Sequence, residues 1–306
     1  MTTPRENGPA PPSASPPASN SRGFSCRLCG CRTADTVIDS APDRLHGVDR
    51  LFTYVRCTNC EVLQLEHIPA DLWSTHYAGY GRHAAESALY ALGRRLITGR
   101  CYPTPDGPGR LLDIGCGNGW YLKMMSGRGW DPVGFEPDEG QAAEVTQRTG
   151  IPVVSNYRDL EPNSFDLVTL NFSLEHVSDP ASVIQQVARV LKPGGQVTIS
   201  LPDPEGREAR IFGKFWFHLD SPRHLVLLSR RQLDRLLTQH GFDVQDVRSL
   251  PTATGFAGSV SYRLLGRFSP ALWYSAAPLG MVFSLLVRDG LFLTRATKRS
   301  TPTTNR

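Results

Sequence analysis

The sequence predicts an α/β protein built on a mostly parallel sheet with helices on both faces. From residue 111 onward, short apolar runs alternate with segments of helical periodicity, which is typical of successive β-α-β units. A glycine-rich loop separates the first apolar run from the first helical segment. Gly150 and Gly241 follow two of the helical segments, at positions where helices commonly end.

The individual elements follow from this periodicity and from local start signals. One helix places Val183, Val187 and Val190 on a single stripe, and another begins at Ser229 with a capping box completed by Gln232. The predicted strands are Leu111–Ile114, Pro132–Phe135, Val153–Val154, Phe165–Leu170, Gln196–Leu201, Phe242–Leu250 and Gly290–Thr297. The predicted helices are Trp120–Ser126, Asp138–Thr149, Ala181–Leu191 and Ser229–His240.

Composition and runs of helix- and strand-breaking residues divide the protein into five segments. The 306 residues are 40% hydrophobic and 20% charged, which suits one large soluble domain and a small one. The first 22 residues carry six prolines and no apolar core, so we expect a disordered tail without a signal peptide, and a cytoplasmic protein. The predicted segments are a tail at 1–22, a cysteine module at 23–68, a helical connector at 69–106 with a helix over Glu86–Ile97, the α/β domain at 107–300 and a tail at 301–306.

The cysteine module predicts a structural zinc site. Cys26, Cys29, Cys57 and Cys60 form two C-x-x-C pairs, and four thiolates suit a closed tetrahedral zinc ion. Cys31 could replace Cys29, and two reduced cysteine pairs without metal are the alternative. Five arginines and six acids make residues 23–66 nearly neutral, and the net charge of the whole chain is only +4. No nucleic-acid partner is therefore expected.

The glycine-rich loop predicts a binding site for a cofactor. It runs from Asp113 to Gly119 between a predicted strand and a predicted helix, and Glu136 ends the next strand, where a carboxylate can bind a ribose diol. A dinucleotide-binding motif would need Gly or Ala at the sixth position from Gly115, where this chain has Trp120. A plain tight turn is the remaining alternative.

Together these motifs resemble the class I S-adenosylmethionine-dependent methyltransferases. The similar segments are Leu111–Gly119, Val133–Glu136, Phe165–Val177, Leu191–Gly195 and Leu219–Leu225. The resemblance covers roughly residues 107–300 and implies a Rossmann-like sheet of seven strands whose last strand is antiparallel, with S-adenosylmethionine as the cofactor. A cysteine module preceding this domain resembles bacterial proteins of polysaccharide and secondary-metabolite biosynthesis.

The resemblance also implies roles for individual residues. Asp113 is expected to hold the ammonium group of the cofactor, and Glu136 its ribose. Asn156 should lie near the adenine, although the acid common at this place in the family is missing, and Asn171 should face the methionine or the acceptor. The glycines expected to line the methionine part are Gly115, Gly117 and Gly119.

A hydroxyl acceptor needs a general base, and histidine is the usual base at neutral pH. His224 and His176 are equal candidates and His218 is the third, because all three follow predicted strands or lie in segments that carry the resemblance. A purely structural role is an equally good interpretation for each. An amine or carbon acceptor, which the sequence does not exclude, would change this requirement.

The C-terminal stretch Phe268–Val287 is uncharged and lies between Arg267 and Arg288. From residue 255 onward the chain has seven basic residues and one acid. Three interpretations are open: a helix packed over the active site, an interfacial helix in peripheral contact with a membrane, or a membrane span. Pro270 and Pro278 weaken the third.

The sequence therefore predicts an enzyme that methylates a small molecule, with a hydroxyl of a sugar, glycan or secondary metabolite as the expected acceptor. A membrane-associated lipid or quinone methyltransferase is the second hypothesis. A non-catalytic binding protein that keeps the fold is the third, although Asp113, the loop glycines and Glu136 are all intact.

Overall fold

The computed structural model describes residues 23–45, 49–76, 102–103, 108–287 and 290–300, and the predicted tails and the predicted helix over Glu86–Ile97 lie outside them. The strands are β1 (Ala34–Pro42), β2 (Leu51–Cys57), β3 (Leu63–Leu65), β4 (Arg110–Ile114), β5 (Asp131–Phe135), β6 (Val153–Val154), β7 (Phe165–Asn171), β8 (Leu191–Pro202), β9 (Val226–Leu227), β10 (Phe242–Ser249) and β11 (Leu291–Lys298). The helices are α1 (Trp120–Ser126), α2 (Glu139–Thr149), α3 (Pro180–Val190), α4 (Arg207–Phe212), α5 (Arg230–Gln239), α6 (Thr254–Leu265) and α7 (Pro270–Val287).

The large sheet has seven strands in the order β10–β11–β8–β7–β4–β5–β6. The five strands from β8 to β6 run parallel, whereas β11 is antiparallel to both of its neighbours, β10 and β8. The expected Rossmann-like sheet with an antiparallel last strand is confirmed. Only β8 differs clearly in extent, because it begins at Leu191 and not at the predicted Gln196.

The register of the central strands fixes the place of the site. Asp113 on β4 is aligned with Gly134 on β5 and with Thr169 on β7. The chain order reverses at β4, since the next strand in sequence lies on one side of it and β7 on the other. Ligands of such sheets bind beyond the carboxyl ends of the strands at this switch point.

The cysteine module is joined to the large domain through a second sheet. Its order is β1–β2–β3–β9, and β9 belongs to the part of the chain assigned to the large domain. Leu63 pairs with Leu227, and Gln64 pairs with Val226. The two parts also share one apolar core, so the module does not pack as a separate unit. The pairing of β3 with β9, which crosses the boundary expected at residue 68, was not predicted from the sequence.

A buried ion pair network reinforces the same junction. Arg223, which is only 1% exposed, donates from Nη1 to both carboxylate oxygens of Asp43, at 3.1 and 3.0 Å. Its Nε donates to both oxygens of Asp220, each at 3.1 Å. Removing one member of such a network leaves an uncompensated buried charge, which costs about 3–5 kcal/mol. Asp43 therefore ties the end of β1 to the loop that carries Asp220 and His224.

The helices α6 and α7 form an antiparallel hairpin on the edge of the large domain. The two helices approach closely at Gly280, where a Cβ would lie 2.9 Å from the carbonyl oxygen of Ala253. The rings of Phe256 and Phe283 contact each other, and the backbone N–H of Thr252 donates to Ser284 Oγ at 2.8 Å. The opposite face of α7 has no covering element among the described residues.

Candidate active site

The glycine loop folds tightly at the carboxyl end of β4. Gly115, Gly117 and Gly119 all have positive φ, at 73°, 52° and 70°, which favours glycine at each position. A Cβ on Gly119 would lie 2.6 Å from Val145, and a Cβ on Gly115 would lie 2.6 Å from Ser173. A Cβ on Gly117 would meet no described atom within 4 Å. The loop is therefore packed on two sides and open at Gly117, as a cofactor cradle requires.

Asp113 lies beneath this loop in a buried, polar setting. Its Oδ1 accepts hydrogen bonds from Thr169 Oγ1 at 2.6 Å and from Asn171 Nδ2 at 3.1 Å. Burial raises the pKa of Asp113 to about 7, although both donors lower it. Asn171 Oδ1 is buried and has no hydrogen-bond partner among the described residues. These oxygens fit a cationic donor such as the ammonium group of S-adenosylmethionine.

Glu136 follows β5 directly and lies beside the loop. Burial raises the pKa of its carboxyl, while the backbone N–H groups of Asp138 and Gly117 counteract that shift. Its own backbone N–H donates to the carbonyl oxygen of Val154 at 3.0 Å, which fixes its position between β5 and β6. A carboxylate held at this place can accept hydrogen bonds from a ribose diol.

The expected adenine side of the site is more exposed. Asn156 Oδ1 accepts from the backbone N–H of Arg158 at 2.9 Å and so caps the short helical turn Tyr157–Asp159. Asn156 itself is exposed. The ring of Tyr157 stacks on Phe135 at 3.9 Å between centroids, which provides a flat apolar surface next to Glu136.

A cavity of about 280 Å³, here called the acceptor cavity, begins beside Asn171. Phe172, the residue after Asn171, has a φ of 55° and turns its side chain into the cavity wall. Half of the lining residues are leucine, phenylalanine or tyrosine, and the other half are three histidines, two threonines and one aspartate. The lining residues are Leu45, Tyr102, Phe172, His176, Phe217, His218, Asp220, His224, Thr252, Thr254, Tyr262 and Leu291.

All three predicted histidines meet in this cavity. The rings of His176 and His224 are 4.7 Å apart between centroids. His176 Nδ1 lies 3.1 Å from the carbonyl oxygen of Arg223, and His224 Nδ1 lies 2.7 Å from that of His218. Each Nδ1 must donate in these contacts, so the neutral rings carry their lone pairs on Nε2.

Burial sets the protonation of these rings. It lowers the pKa of His218 to about 4 and that of His224 to about 3. The pKa of His176 is also lowered by burial, and Asp220 counteracts that shift. All three rings are therefore neutral at pH 7.

Glu175 is a functional candidate that sequence reasoning missed. It is 1% exposed, neither of its carboxylate oxygens has a hydrogen-bond partner among the described residues, and burial raises its pKa to about 8. Its Oε1 lies 3.9 Å from His224 Nε2. Together with His176 these side chains offer ligand atoms within 4.8 Å of one another, so they could hold a metal ion. The only sequence signal for Glu175 was its place in the short run Leu174–His176 after β7.

The four predicted cysteine ligands converge at the tip of the small sheet. Cys26 Sγ lies 3.5 Å from Cys60 Sγ, and Cys29 Sγ lies 3.6 Å from Cys57 Sγ. All four sulfur atoms lie within 4.8 Å of one another. Tetrahedral zinc with bonds of about 2.3 Å places its sulfur ligands about 3.8 Å apart, so this donor set fits the ion.

The surroundings of the cysteines also suit a metal. Burial raises the pKa of Cys26 to about 11, and a divalent cation bound there would stabilise the thiolate and lower that pKa. The backbone N–H and the side-chain Nδ2 of Asn59 approach Cys57 Sγ at 3.4 Å and Cys29 Sγ at 3.6 Å. Cys31 Sγ instead contacts Thr33 Oγ1 at 3.3 Å, so the structure keeps Cys29 and not Cys31 in the cluster.

Of the three interpretations of the C-terminal stretch, the structure does not support a helix packed over the active site. Among the described residues, α7 contributes none to the acceptor cavity, which is lined on this side by Thr254 and Tyr262 of α6. The helix α7 is 18 residues long with a mean hydropathy of 1.5 and is only 11% buried. By length and composition it could cross a membrane, which by itself is weak support for a span.

Comparison with known protein families gives a match to the α/β domain. The family model described as a methyltransferase domain matches residues 82–247, more than half of the chain. One chain from the solved complex of the Haloferax volcanii Trm112 methyltransferase activator and its partner is 13% identical, with a TM-score of 0.52, and covers 76% of this chain and 100% of that chain. At this identity the structural likeness shows the fold alone.

Curated relatives match a shorter segment. The ubiquinone biosynthesis O-methyltransferase of Pseudomonas aeruginosa strain UCBPP-PA14 is 39% identical over 102 residues, which cover 30% of this chain and 43% of the relative. The protein of the same description from Hahella chejuensis is 41% identical over 102 residues, covering 30% of this chain and 42% of the relative. The chain thus spans less than half the length of these relatives.

Proposed function

Because this chain belongs to the methyltransferase-domain family and is an S-adenosylmethionine-dependent methyltransferase, we propose that it methylates a hydroxyl of an amphipathic small molecule in the acceptor cavity. The observation that carries the proposal is the meeting of three neutral histidines in an aromatic cavity that begins at the end of β7. The sulfonium cofactor brings an activated methyl group, so the chain must align the acceptor and remove its proton.

The lining of the cavity favours an acceptor with a large apolar part over a free sugar. Tyr102, Phe172, Phe217 and Tyr262 present ring surfaces to the bound molecule. A free sugar would bury hydroxyl groups against these rings and lose hydrogen bonds to water. The curated relatives are described as O-methyltransferases of ubiquinone biosynthesis, which also favours an acceptor with a large apolar part. A sugar or glycan hydroxyl is the second candidate.

His176 is the proposed general base. Its Nδ1 donates to the Arg223 carbonyl oxygen, which orients the ring and leaves Nε2 as the proton acceptor. Burial lowers the pKa of all three histidines. His176 is chosen among them because it lies in the short turn that directly follows β7, where the methyl end of the cofactor is expected.

The cofactor site is proposed to use the residues at the ends of β4, β5 and β7. Asp113 and Asn171 would hold the ammonium group, and Glu136 the ribose hydroxyls. Gly117 leaves room for the methionine part, with Gly115 and Gly119 shaping the loop around it. Asn156 would lie at the edge of the adenine, next to the stacked ring of Tyr157.

The cysteine module is proposed to hold one structural zinc ion through Cys26, Cys29, Cys57 and Cys60. The sulfur spacing supports this, because both measured pairs lie close to the separation of tetrahedral ligands. With four protein ligands such a site has no open position, so the ion would stabilise the small sheet and take no part in methyl transfer.

The hairpin of α6 and α7 is proposed to lie on a membrane surface. Its exposed large apolar side chains, here called the hairpin patch, are Leu264, Leu265, Tyr274, Leu279, Val282, Leu285 and Leu286. Seven basic residues and one acid from residue 255 onward would attract anionic lipid headgroups. Such contact would bring a lipid-linked acceptor close to α6, which lines the acceptor cavity.

The test uses methyl-labelled S-adenosylmethionine, the purified protein and an extract of its source cells, followed by separation of the aqueous and organic phases. We expect label in the organic phase. Label only in the aqueous phase would overturn the apolar acceptor and favour the sugar candidate. No label in either phase, with cofactor binding confirmed by calorimetry, would favour a non-catalytic binding protein.

A further inference from the structure

Three cationic side chains surround one aromatic ring beside the acceptor cavity. The guanidinium carbon of Arg44 lies 4.9 Å from the ring centroid of Phe215, and that of Arg263 lies 5.0 Å from it. Lys214 Nζ lies 5.8 Å from the same centroid. The three cations, here called the basic cluster, come from the segment after β1, the turn after α4, and α6.

The basic cluster has no carboxylate partner among the residues that the structure describes. Within the described part of the chain, Arg44, Lys214 and Arg263 form no ion pair, although such pairs occur at several other arginines. The neighbouring acid Asp43 has both oxygens engaged by Arg223. Arg44 Nε is also buried without a hydrogen-bond partner among the described residues.

This arrangement is unfavourable without an anion. The three like charges lie around one ring and repel one another, and the weak attraction of each cation to an aromatic face offsets this only in part. A buried donor without a partner adds a further cost. A bound anion would remove both costs.

The basic cluster adjoins the acceptor cavity. Arg44 also stands 5.6 Å from the ring centroid of Tyr262, which lines the cavity. Leu45, the residue after Arg44, lines it as well. A molecule that places its hydroxyl near His176 could therefore extend past Tyr262 to the cations.

We propose that Arg44, Lys214 and Arg263 bind a phosphate group carried by the methyl acceptor. The inference rests on the proposed methyl transfer and narrows its substrate class to phosphorylated amphipathic molecules. Guanidinium groups match the geometry of phosphate oxygens and form charge-assisted hydrogen bonds with them, while a lysine adds a point charge. The phosphate is supplied either by a soluble acceptor or by the headgroup of a lipid.

The test measures binding of inorganic pyrophosphate by calorimetry, independently of methyl transfer. We expect the triple variant Arg44→Gln, Lys214→Gln, Arg263→Gln to bind pyrophosphate at least about tenfold more weakly than the natural protein. Arg235→Gln, which removes an exposed charge from α5, should bind it as the natural protein does. Equal binding by the triple variant and the natural protein, or no binding by the natural protein, would overturn the proposal.

Two further measurements distinguish loss of the phosphate site from loss of the fold, and a lipid phosphate from a soluble one. S-adenosylhomocysteine binding by the same samples reports on the fold and the cofactor site, so failure of the phosphate site is distinguishable from failure of the proposed function. Flotation with vesicles of phosphatidylglycerol or phosphatidylcholine then identifies the source of the phosphate. Selective loss of phosphatidylglycerol binding in the triple variant supports a lipid headgroup, and unchanged flotation with lost pyrophosphate binding supports a soluble phosphorylated acceptor.

Discussion

At the single residue Asp113, burial disfavours the ionised carboxylate that the ammonium group of the cofactor would favour. Its carboxyl is 3% exposed, accepts two hydrogen bonds and has a pKa raised to about 7. A carboxyl in this setting changes charge near neutral pH, where its partner is expected to be an ammonium group. Cofactor affinity should therefore depend on pH in a range where most carboxylates are fully ionised.

We predict that S-adenosylhomocysteine, which carries the same ammonium group, binds more weakly as the pH falls below 7. The ammonium favours ionised Asp113, and the ionised fraction declines as the pH falls through the pKa of the free protein. The loss should approach about tenfold per pH unit well below that pKa. Calorimetry from pH 8 to pH 5.5 measures it, and Asp113→Asn should bind weakly with a flatter profile. An equally steep profile in Asp113→Asn would assign the dependence to another group.

The proposed contact of Gly117 with the cofactor can be tested against a matched control variant. Gly117→Ala and Gly150→Ala both add a Cβ at positive φ, and neither Cβ would meet a described atom within 4 Å. Both should lose about 1–2 kcal/mol of stability. Only Gly117→Ala should also weaken cofactor binding, because its methyl group enters the proposed cofactor space. Equal cofactor affinity in the two variants would show that Gly117 does not contact the cofactor.

Among the secondary-structure elements, those whose sequence signal comes from residues close together in the chain were predicted correctly. The strands of the large sheet were predicted from short apolar runs, and the cysteine cluster from two C-x-x-C pairs. In α5, the backbone N–H of Ser229 donates to Gln232 Oε1 at 2.8 Å, which is one of the two hydrogen bonds of the predicted capping box. The helix α6 was not predicted, because its glycines and serines give no apolar stripe of helical period.

The proposed zinc site of the small sheet can be tested by metal analysis of cysteine variants. We predict about one zinc ion per chain by metal analysis, with loss of the metal in Cys57→Ser. Cys31→Ser is the matched control, since Cys31 lies outside the cluster, and it should keep the metal. Metal analysis that finds no zinc in the natural protein would contradict this assignment.

The hairpin of α6 and α7 gives the second element-scale prediction. Leu279 is 62% exposed and Leu286 is 78% exposed, and serine at both positions should reduce flotation with phosphatidylglycerol vesicles several-fold. Leu51→Ser removes an equally exposed side chain, also 62%, from β2 and should leave flotation unchanged. Flotation that is equal in all three proteins would exclude the hairpin patch as the contact surface.

At the scale of the whole molecule, the cysteine module and the methyltransferase domain behave as one body. They share the sheet that pairs β3 with β9, an apolar core and the network of Asp43, Arg223 and Asp220. These contacts connect residues far apart in the chain, so no local pattern could reveal them. For the same reason, the sequence suggested the three histidines separately, and only the fold shows that they line one cavity with Glu175 beside them.

Methyl transfer in the acceptor cavity is proposed to use His176 as the base. This is tested by turnover with labelled S-adenosylmethionine and the acceptor fraction from the extract, comparing the natural protein with His176→Ala and His67→Ala. We expect turnover to fall by at least about 100-fold in His176→Ala with unchanged cofactor affinity. His67, whose side chain is 69% exposed, should be dispensable. Equal turnover in His176→Ala and the natural protein would contradict the account.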